Sequence, residues 1–241
     1  MKLITKLIEP KRLLVIWQAP DSVFKQHIGR RFIVGEIFHD GVTIKLQYYQ
    51  NSDTEVAFKV GFTGLTAYPY DHTVSSQSFD NNIINVLSRR LPPSSRTDYK
   101  DYLGSYRIAP DAEGISPLSL LAYTGGRIAG DGFSFFPTFE GVAPPFDFTF
   151  EIAGFRHNAE MSRENINALQ DKPVLFKDDN ANPHDKEAVA IECEGKKIGH
   201  VPKGANSVLK MLRSKYKVHA FITKINGTLE RPNILIYISI L

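Results

Sequence analysis

The sequence predicts a fold of the α+β class, mostly β, in two domains. Several short segments alternate apolar and polar residues, which is typical of strands, and only a few repeat apolar residues at helical spacing. A Pro-rich stretch, Gly141-Val142-Ala143-Pro144-Pro145, interrupts these patterns as a linker would. The chain has 241 residues, 42% of them hydrophobic, which is enough for two small cores. We therefore expect a mixed α+β domain over residues 1–145 and a small β-barrel domain over residues 146–241.

The first domain is predicted to open with antiparallel strands. An apolar segment at residues 11–18 is followed by alternating runs at residues 32–38 and 42–49, which flank the turn His39-Asp40-Gly41. Helices are predicted at residues 80–90, 99–103 and 118–123. Asp80 is the expected N-cap of the first helix, and Gly125-Gly126 is typical of the end of the last one.

The second domain is predicted to be a barrel of SH3 or OB type, with about six strands and one packed helix. The expected strands are residues 147–154, 172–177, 188–194, 196–201, 218–224 and 233–240, with a short helix at residues 164–170. The packed helix is expected over residues 204–217, with Val208, Leu209, Leu212 and Tyr216 facing inward. Cys193 shares a strand face with Val189 and Ile191, so we expect it to pack in the core rather than to act as a nucleophile.

The distribution of charge points to one segment. The net charge is only +3, but residues 196–231 contain nine basic residues and a single acidic one. A basic segment of this kind is a candidate surface for nucleic acid. The alternative is a solvated basic face without a ligand.

Composition excludes several classes of protein. The single cysteine cannot form a disulfide within the chain, and neither the cysteine nor the histidines have the spacing of metal ligands, so we expect no metal and no cofactor. No apolar run approaches the roughly 20 residues of a membrane span, and the N-terminal apolar run is too short for a signal peptide. We expect a soluble, cytoplasmic protein that does not bind membranes.

Unusual polar residues gather between residues 178 and 203. The turn Asn182-Pro183-His184-Asp185 leads into an alternating strand, and a second turn follows it. We expect these turns to bring basic side chains to one neighbourhood, namely Lys196, Lys197, His200 and Lys203. A site for a phosphate chain can be built from such residues.

The carboxylate of Asp185 is the central candidate in this group. It can accept a hydrogen bond from a sugar hydroxyl only if nearby cations offset its repulsion of phosphate, and Lys177, Lys186 and Lys203 are the expected neighbours. The alternative is structural, because Asn and Asp beside a proline commonly bond their own backbone in a turn. On that interpretation Asn182 and Asp185 only build the loop, and His200 lies on the barrel face without a ligand.

Three motifs in this half resemble a known module. They are Gly154-Phe155-Arg156-His157, the run NPHDKEAVAI at residues 182–191, and the run KKIGHVPKGAN at residues 196–206, which leads into a helix. With these motifs, residues 148–241 resemble a HIRAN domain, the barrel module attached to helicase-like transcription factor and related DNA-repair ATPases. The resemblance covers most of the second domain.

The HIRAN resemblance implies binding of a single-stranded DNA end, with the free 3′-hydroxyl held in a pocket. By position, Arg156 and Lys203 correspond to phosphate-contacting residues, and Asp185 corresponds to the acid that accepts a hydrogen bond from the terminal hydroxyl. His157 and His184 stand where better-known members have base-stacking aromatics. The candidate nucleic-acid-binding residues are Arg156, His157, Asn182, His184, Asp185, His200 and Lys203.

Residues 1–138 resemble the N-terminal subdomain of HipA-type kinases. The resemblance lies in Val34-Gly35-Glu36-Ile37, in Leu91-Pro92-Pro93, and in residues 116–131. It implies a domain that binds another protein, such as a separate kinase or helicase chain. No phosphoryl-transfer loop and no Walker lysine loop occurs in the sequence, so we expect no enzymatic activity.

Two hypotheses from different classes follow. The first is a non-catalytic protein that binds single-stranded DNA, with an N-terminal domain that contacts a protein partner. The second is a regulatory interaction protein of a HipA-type toxin–antitoxin or related system. The two differ in salt dependence, because phosphate contacts weaken steeply as the salt concentration rises.

Overall fold

The structure, a computed structural model, describes residues 2–20, 29–155, 163–183, 185–228 and 232–241. The chain folds as two compact units. The N-terminal unit comprises Leu7–Tyr106 and Pro110–Val142, and the C-terminal unit comprises Met1–Lys6, Arg107–Ala109 and Ala143–Leu241. The predicted class, α+β and mostly β, is confirmed. Nothing in the sequence indicated that two short segments from the first half of the chain would join the C-terminal unit.

The strands are β1 (Ile4–Lys6), β2 (Arg12–Gln18), β3 (Arg31–His39), β4 (Ile44–Tyr48), β5 (Gly64–Leu65), β6 (Tyr68–Pro69), β7 (Gln77–Phe79), β8 (Ile108–Glu113), β9 (Phe133–Pro137), β10 (Phe146–Glu151), β11 (Val174–Asp178), β12 (Val189–Cys193), β13 (Lys196–His200), β14 (Val218–Gly227) and β15 (Pro232–Ile240). The helices are α1 (Ser52–Lys59), α2 (Ile83–Ser88), α3 (Tyr99–Ser105), α4 (Pro117–Thr124) and α5 (Asn206–Lys215), and a 3-10 helix covers Arg163–Leu169.

The N-terminal unit is built on a five-stranded antiparallel sheet in the order β7-β4-β3-β2-β9. The predicted succession of β2, β3 and β4 is therefore confirmed. Aromatic rings fill its core, with Phe62 lying 5.6 Å from both Trp17 and Tyr48 between ring centroids. Such large apolar side chains supply most of the burial that stabilises a small unit.

The helices of this unit show which capping signals were reliable. Ser116 accepts a hydrogen bond from the backbone N–H of Ser119 at 3.0 Å, and Gly125 ends α4 in the left-handed conformation, as predicted. The prediction that Asp80 caps α2 is wrong, because the N-cap is Asn82, which has a left-handed backbone and no capping side chain. Helix α1 was not predicted, although Asn51 caps it through the N–H of Thr54 at 2.9 Å.

The C-terminal unit contains two three-stranded antiparallel sheets, β10-β15-β14 and β11-β12-β13. Isolated bridges link their edges: Ala153 pairs with His200, and Pro173 pairs with Phe221. All the predicted strands of this half are present, but the closed barrel stays a prediction, since the described strands form two open sheets.

The core of the C-terminal unit follows the predicted faces closely. Val189, Ile191 and Cys193 are all buried, and burial raises the pKa of the Cys193 thiol. A buried thiol with a raised pKa is a poor nucleophile, which agrees with a packing role. Tyr216 is the exception among the expected inward residues of the helix, because α5 ends before it and its side chain is half-buried.

Candidate nucleic-acid interface

The turn between β11 and β12 is fixed by its own backbone. The N–H of Asp179 donates to the carbonyl of Ala188 at 2.9 Å, and the N–H of Asn182 donates to the carbonyl of Asp179 at 3.0 Å. The N–H of Ala188 donates in turn to the carbonyl of Asp185 at 3.0 Å. Because both ends of the turn are closed in this way, its side chains are held in defined positions.

Asp179 is the centre of a polar cluster at the end of β13. Its Oδ2 accepts a hydrogen bond from Lys197 Nζ at 2.8 Å and lies 2.9 Å from His200 Nε2. Hydrogen bonds from Lys197 and then from His200 lower the pKa of Asp179 to about 2. Asp179 is therefore ionised at neutral pH.

Asn182 connects this cluster to Asp185. Its Nδ2 lies 3.1 Å from His200 Nε2, and its Oδ1 accepts the backbone N–H of Asp185 at 3.2 Å. The amide thus spans the turn from the histidine to the carboxylate residue. The structure brings together three of the predicted site residues: Asn182, Asp185 and His200.

Asp185 links the turn to α5. One carboxylate oxygen accepts the N–H of Glu187 at 2.9 Å, and the other accepts Asn206 Nδ2 at 2.9 Å. Asn206 is the first residue of α5 and is buried. Asp185 therefore does bond the backbone of its own turn, as the structural alternative expected. A carboxylate has about four lone-pair sites, however, and two of them are used here.

His200 pairs with Ala153, which directly precedes the motif that contains Arg156. The backbones of His200 and Ala153 exchange two hydrogen bonds of 2.8 Å. Gly199 has φ +152, and a Cβ there would lie 2.7 Å from the carbonyl of Ala153, so only glycine permits this approach. The predicted site residues Arg156, His157 and His184 lie outside the described residues.

Several cations of the basic segment are already paired with acids. Lys197 pairs with Asp179 at 2.8 Å, Lys210 with Glu187 at 2.8 Å and Arg213 with Asp178 at 3.3 Å. Of the cations expected beside Asp185, Lys177 pairs with Glu192 at 2.5 Å, whereas Lys186 is exposed and makes no ion pair with a described residue. Lys203 is half-buried in the turn that precedes α5.

Two negative findings concern the described part of the chain. It contains no group of three or more His, Cys, Asp or Glu side chains that could hold a metal ion. Within the same ranges, no helix is both long enough and apolar enough to cross a membrane.

Residues 145–240 match the family model of the HIRAN domain. This part of the chain is a HIRAN domain. The crystal structure of the HIRAN domain of human HLTF is 15% identical, with 39% of this chain and 74% of that chain covered and a TM-score of 0.31. A crystal structure of a Lactobacillus plantarum protein is 15% identical, with 40% and 95% covered and a TM-score of 0.32.

No curated protein matches the chain. The resemblance of residues 1–138 to the N-terminal subdomain of HipA-type kinases stays a prediction, as does a protein-binding role for that region.

Sequence reasoning missed two members of the polar cluster in the HIRAN domain. Asp179 binds both Lys197 and His200, and Asn206 binds Asp185, yet neither was a candidate. Asp179 carried a weak signal, since it follows β11 directly and β13 was expected beside that turn. Asn206 carried none, because an asparagine that opens a helix is common for capping reasons alone.

Proposed function

We propose that this protein binds single-stranded DNA through its HIRAN domain, at a free 3′ end, and that it catalyses no reaction. The proposal rests on one observation: a carboxylate, Asp185, is held in a fixed turn beside His200 in a domain type known in nucleic-acid-binding proteins. Lys186 follows Asp185 directly in the chain, and Lys203 lies three residues before Asn206, whose side chain binds Asp185.

The carboxylate of Asp185 is suited to accept a hydrogen bond from the terminal 3′-hydroxyl of a DNA strand. Each of its oxygens accepts one hydrogen bond from the protein, at 2.9 Å from Glu187 N–H and 2.9 Å from Asn206 Nδ2, so acceptor capacity remains for a hydroxyl. A phosphate at the same place would repel the carboxylate and could donate no proton to it when ionised. Asp185 therefore favours a strand that ends in a hydroxyl over one that is capped by phosphate.

His200 and Asn182 act as positioning residues in this proposal. His200 is held by Asp179, and the side chain of Asn182 lies between the imidazole and the backbone N–H of Asp185. These contacts fix the main chain on which the carboxylate is carried. Lys203 and Arg156 are proposed to contact the phosphates, which fix the strand without reading its sequence.

The test compares single-stranded oligonucleotides that carry either a 3′-hydroxyl or a 3′-phosphate, titrated against the full chain. We expect the hydroxyl strand to bind about tenfold more tightly, the typical effect of one hydrogen bond to a charged group. Asp185→Ala should abolish that ratio, whereas Lys203→Ala should weaken both strands equally because it removes a phosphate contact.

Lys100→Ala, an exposed lysine of α3 in the N-terminal unit, is the matched control and should leave both affinities unchanged. The ratio of the two affinities is the readout, so a general loss of stability in Asp185→Ala cannot imitate the expected result. Equal affinity of the wild-type protein for the two ends would refute end recognition, and no binding to either strand would refute the DNA role.

A further inference from the structure

The carboxylate of Asp185 keeps acceptor capacity on both of its oxygens. Oδ1 accepts the N–H of Glu187 at 2.9 Å, and Oδ2 accepts Nδ2 of Asn206 at 2.9 Å. The carboxylate makes no further hydrogen bond and no ion pair with a described residue. Because an ionised carboxylate has about two lone pairs on each oxygen, it can accept one additional hydrogen bond on each of them.

Asp185 differs in this respect from the other acids of the turn between β11 and β12. Each of the three other acids between residues 178 and 187 has a cationic partner, in the pairs Asp178–Arg213 at 3.3 Å, Asp179–Lys197 at 2.8 Å and Glu187–Lys210 at 2.8 Å. Asp185 is held instead by two neutral N–H groups. Neutral donors orient a carboxylate without cancelling its charge, so it remains a strong acceptor for a ligand hydroxyl.

The direction of Oδ2 is set by Asn206, which is 4% exposed. The N-cap of α5 is Ala205, so this asparagine has no capping role. Its Oδ1 accepts the N–H of Ser207 at 3.0 Å, and its Nδ2 donates to the carbonyl of Glu187 at 3.3 Å as well as to Asp185. Both oxygens of Asp185 are thus held before a ligand arrives, which reduces the ordering cost of binding.

Two acceptor sites on one carboxylate match two neighbouring hydroxyl donors. A deoxyribose at the 3′ end of a strand offers one hydroxyl, whereas a ribose offers two on adjacent carbons. In dinucleotide-binding folds an acid accepts a hydrogen bond from the 2′-hydroxyl of a ribose in this way. The 2′-hydroxyl is also the group by which proteins distinguish RNA from DNA. A ribose therefore uses the acceptor capacity of Asp185 fully, and a deoxyribose uses half of it.

We propose that the site prefers a single strand whose 3′-terminal sugar is a ribose. The 2′- and 3′-hydroxyls each donate a hydrogen bond to one oxygen of Asp185, and Asn206 is the positioning residue that directs Oδ2. This inference rests on the proposed function, because it requires the same carboxylate to face the 3′ end. It concerns the terminal sugar alone, so one ribonucleotide at the end of a DNA strand is sufficient.

The experiment titrates the full chain with DNA strands of one sequence that differ only near the 3′ end. The terminal nucleotide is deoxyribo, ribo, 2′-O-methyl-ribo or deoxyribo with a 3′-phosphate, and a fifth strand carries its single ribonucleotide at an internal position. We expect the ribo end to bind about tenfold more tightly than the deoxyribo end, the effect of one hydrogen bond to a charged group. The 2′-O-methyl end, which has no proton to donate, and the internal ribonucleotide should bind no more tightly than the deoxyribo end.

Variants connect this preference to the two residues. Asp185→Ala should bring the ratio of ribo to deoxyribo affinity to one. Asn206→Ala should lower the ratio about threefold, because Oδ2 loses the contact that orders it. Val208→Ala is the matched control: it truncates another buried side chain of α5 and should lower stability without changing the ratio.

A free nucleotide also carries the vicinal diol, so adenosine 5′-monophosphate is added as a competitor. It should compete far more weakly than the ribo-ended strand, because a single phosphate cannot replace the phosphates of a strand. Competition as strong as that of the strand would overturn the assignment of a strand end.

The outcomes separate this inference from the proposed function. Equal affinity for the ribo and deoxyribo ends, with both preferred over the 3′-phosphate, would overturn the diol contact and leave recognition of the 3′-hydroxyl intact. A 2′-O-methyl end or an internal ribonucleotide that binds as tightly as the ribo end would also overturn the diol contact. Equal affinity for the deoxyribo end and the 3′-phosphate would instead count against the proposed function itself. An unchanged ratio in Asn206→Ala would remove the positioning role of that residue.

Discussion

At the scale of single residues, Asp179 determines how the candidate site responds to acid. It is the shared acceptor for Lys197 and His200, and it anchors the side chains that lead to Asp185. Its pKa is lowered from 3.8 to about 2, chiefly by the hydrogen bond from Lys197. A carboxylate whose pKa is lower in the folded protein stabilises the fold above its ordinary pKa and loses that effect on acidification.

The resulting prediction concerns the free energy of unfolding between about pH 4 and pH 2. Wild-type protein should lose stability in this window, because the ionised Asp179 must be protonated as the pH falls through about 2. Asp179→Asn and Lys197→Met should each lose less, since both remove the ion pair. Urea unfolding at a series of pH values measures this, and identical pH profiles for all three proteins would contradict the role of the pair.

Only the local contacts of Asn182 and Asp185 could be predicted from the sequence. The Asn-Pro-His-Asp run predicts a turn, and Asn182 and Asp185 do bond its backbone. The second partner of each side chain, His200 for Asn182 and Asn206 for Asp185, lies about twenty residues away and depends on strand pairing. Those contacts decide whether the carboxylate is fixed, and no local pattern encodes them.

At the scale of elements, β14 is shaped by a bulge at Thr223. Pairing with β15 skips this residue, so its carbonyl leaves the ladder. Arg107 replaces the missing partners, donating from Nε to Thr223 Oγ1 at 2.9 Å and from Nη2 to the carbonyl, which also accepts Gln170 Nε2 at 2.7 Å. Bulges leave polar backbone groups that a buried strand must satisfy elsewhere.

Arg107→Ala should therefore lower the free energy of unfolding by about 2 kcal/mol, because hydrogen bonds from a charged donor to a buried bulge are lost. Arg107→Lys keeps one charged donor and should recover part of that loss. Urea unfolding monitored by circular dichroism compares the three proteins. If Arg107→Ala were as stable as wild type, the bulge would not depend on this side chain.

Elements with strong local signals were predicted well, and those defined by distant partners were not. Alternation located β12 and β13, and the Gly125-Gly126 pair located the end of α4. The short strands β1 and β8 pair with each other across about a hundred residues, and neither has a distinctive pattern. Long-range pairing of short segments leaves little trace in a sequence, and the three residues of β1 cannot establish a period.

At the scale of the whole molecule, formal charge overstates the attraction available to DNA. The basic segment at residues 196–231 looks strongly cationic, yet Lys197, Lys210 and Arg213 each pair with an acid from residues 178–187. A lysine or arginine that is already paired with an acid on the protein releases fewer of the counterions condensed on DNA when it contacts a phosphate. Under the proposed function, the affinity for DNA should thus follow the lysines without an acidic partner rather than the net charge.

Lys186 and Lys210 provide the matched comparison. Lys186 lies next to Asp185 and makes no ion pair with a described residue, whereas Lys210 pairs with Glu187 at 2.8 Å. Lys186→Ala should reduce the slope of log affinity against log salt by about 0.7, the value for one phosphate contact on a single strand. Lys210→Ala should change that slope much less, because its charge is already offset. Titrations of the full chain over several salt concentrations measure both slopes, and equal reductions would show that ion pairing within the HIRAN domain does not govern which lysines bind DNA.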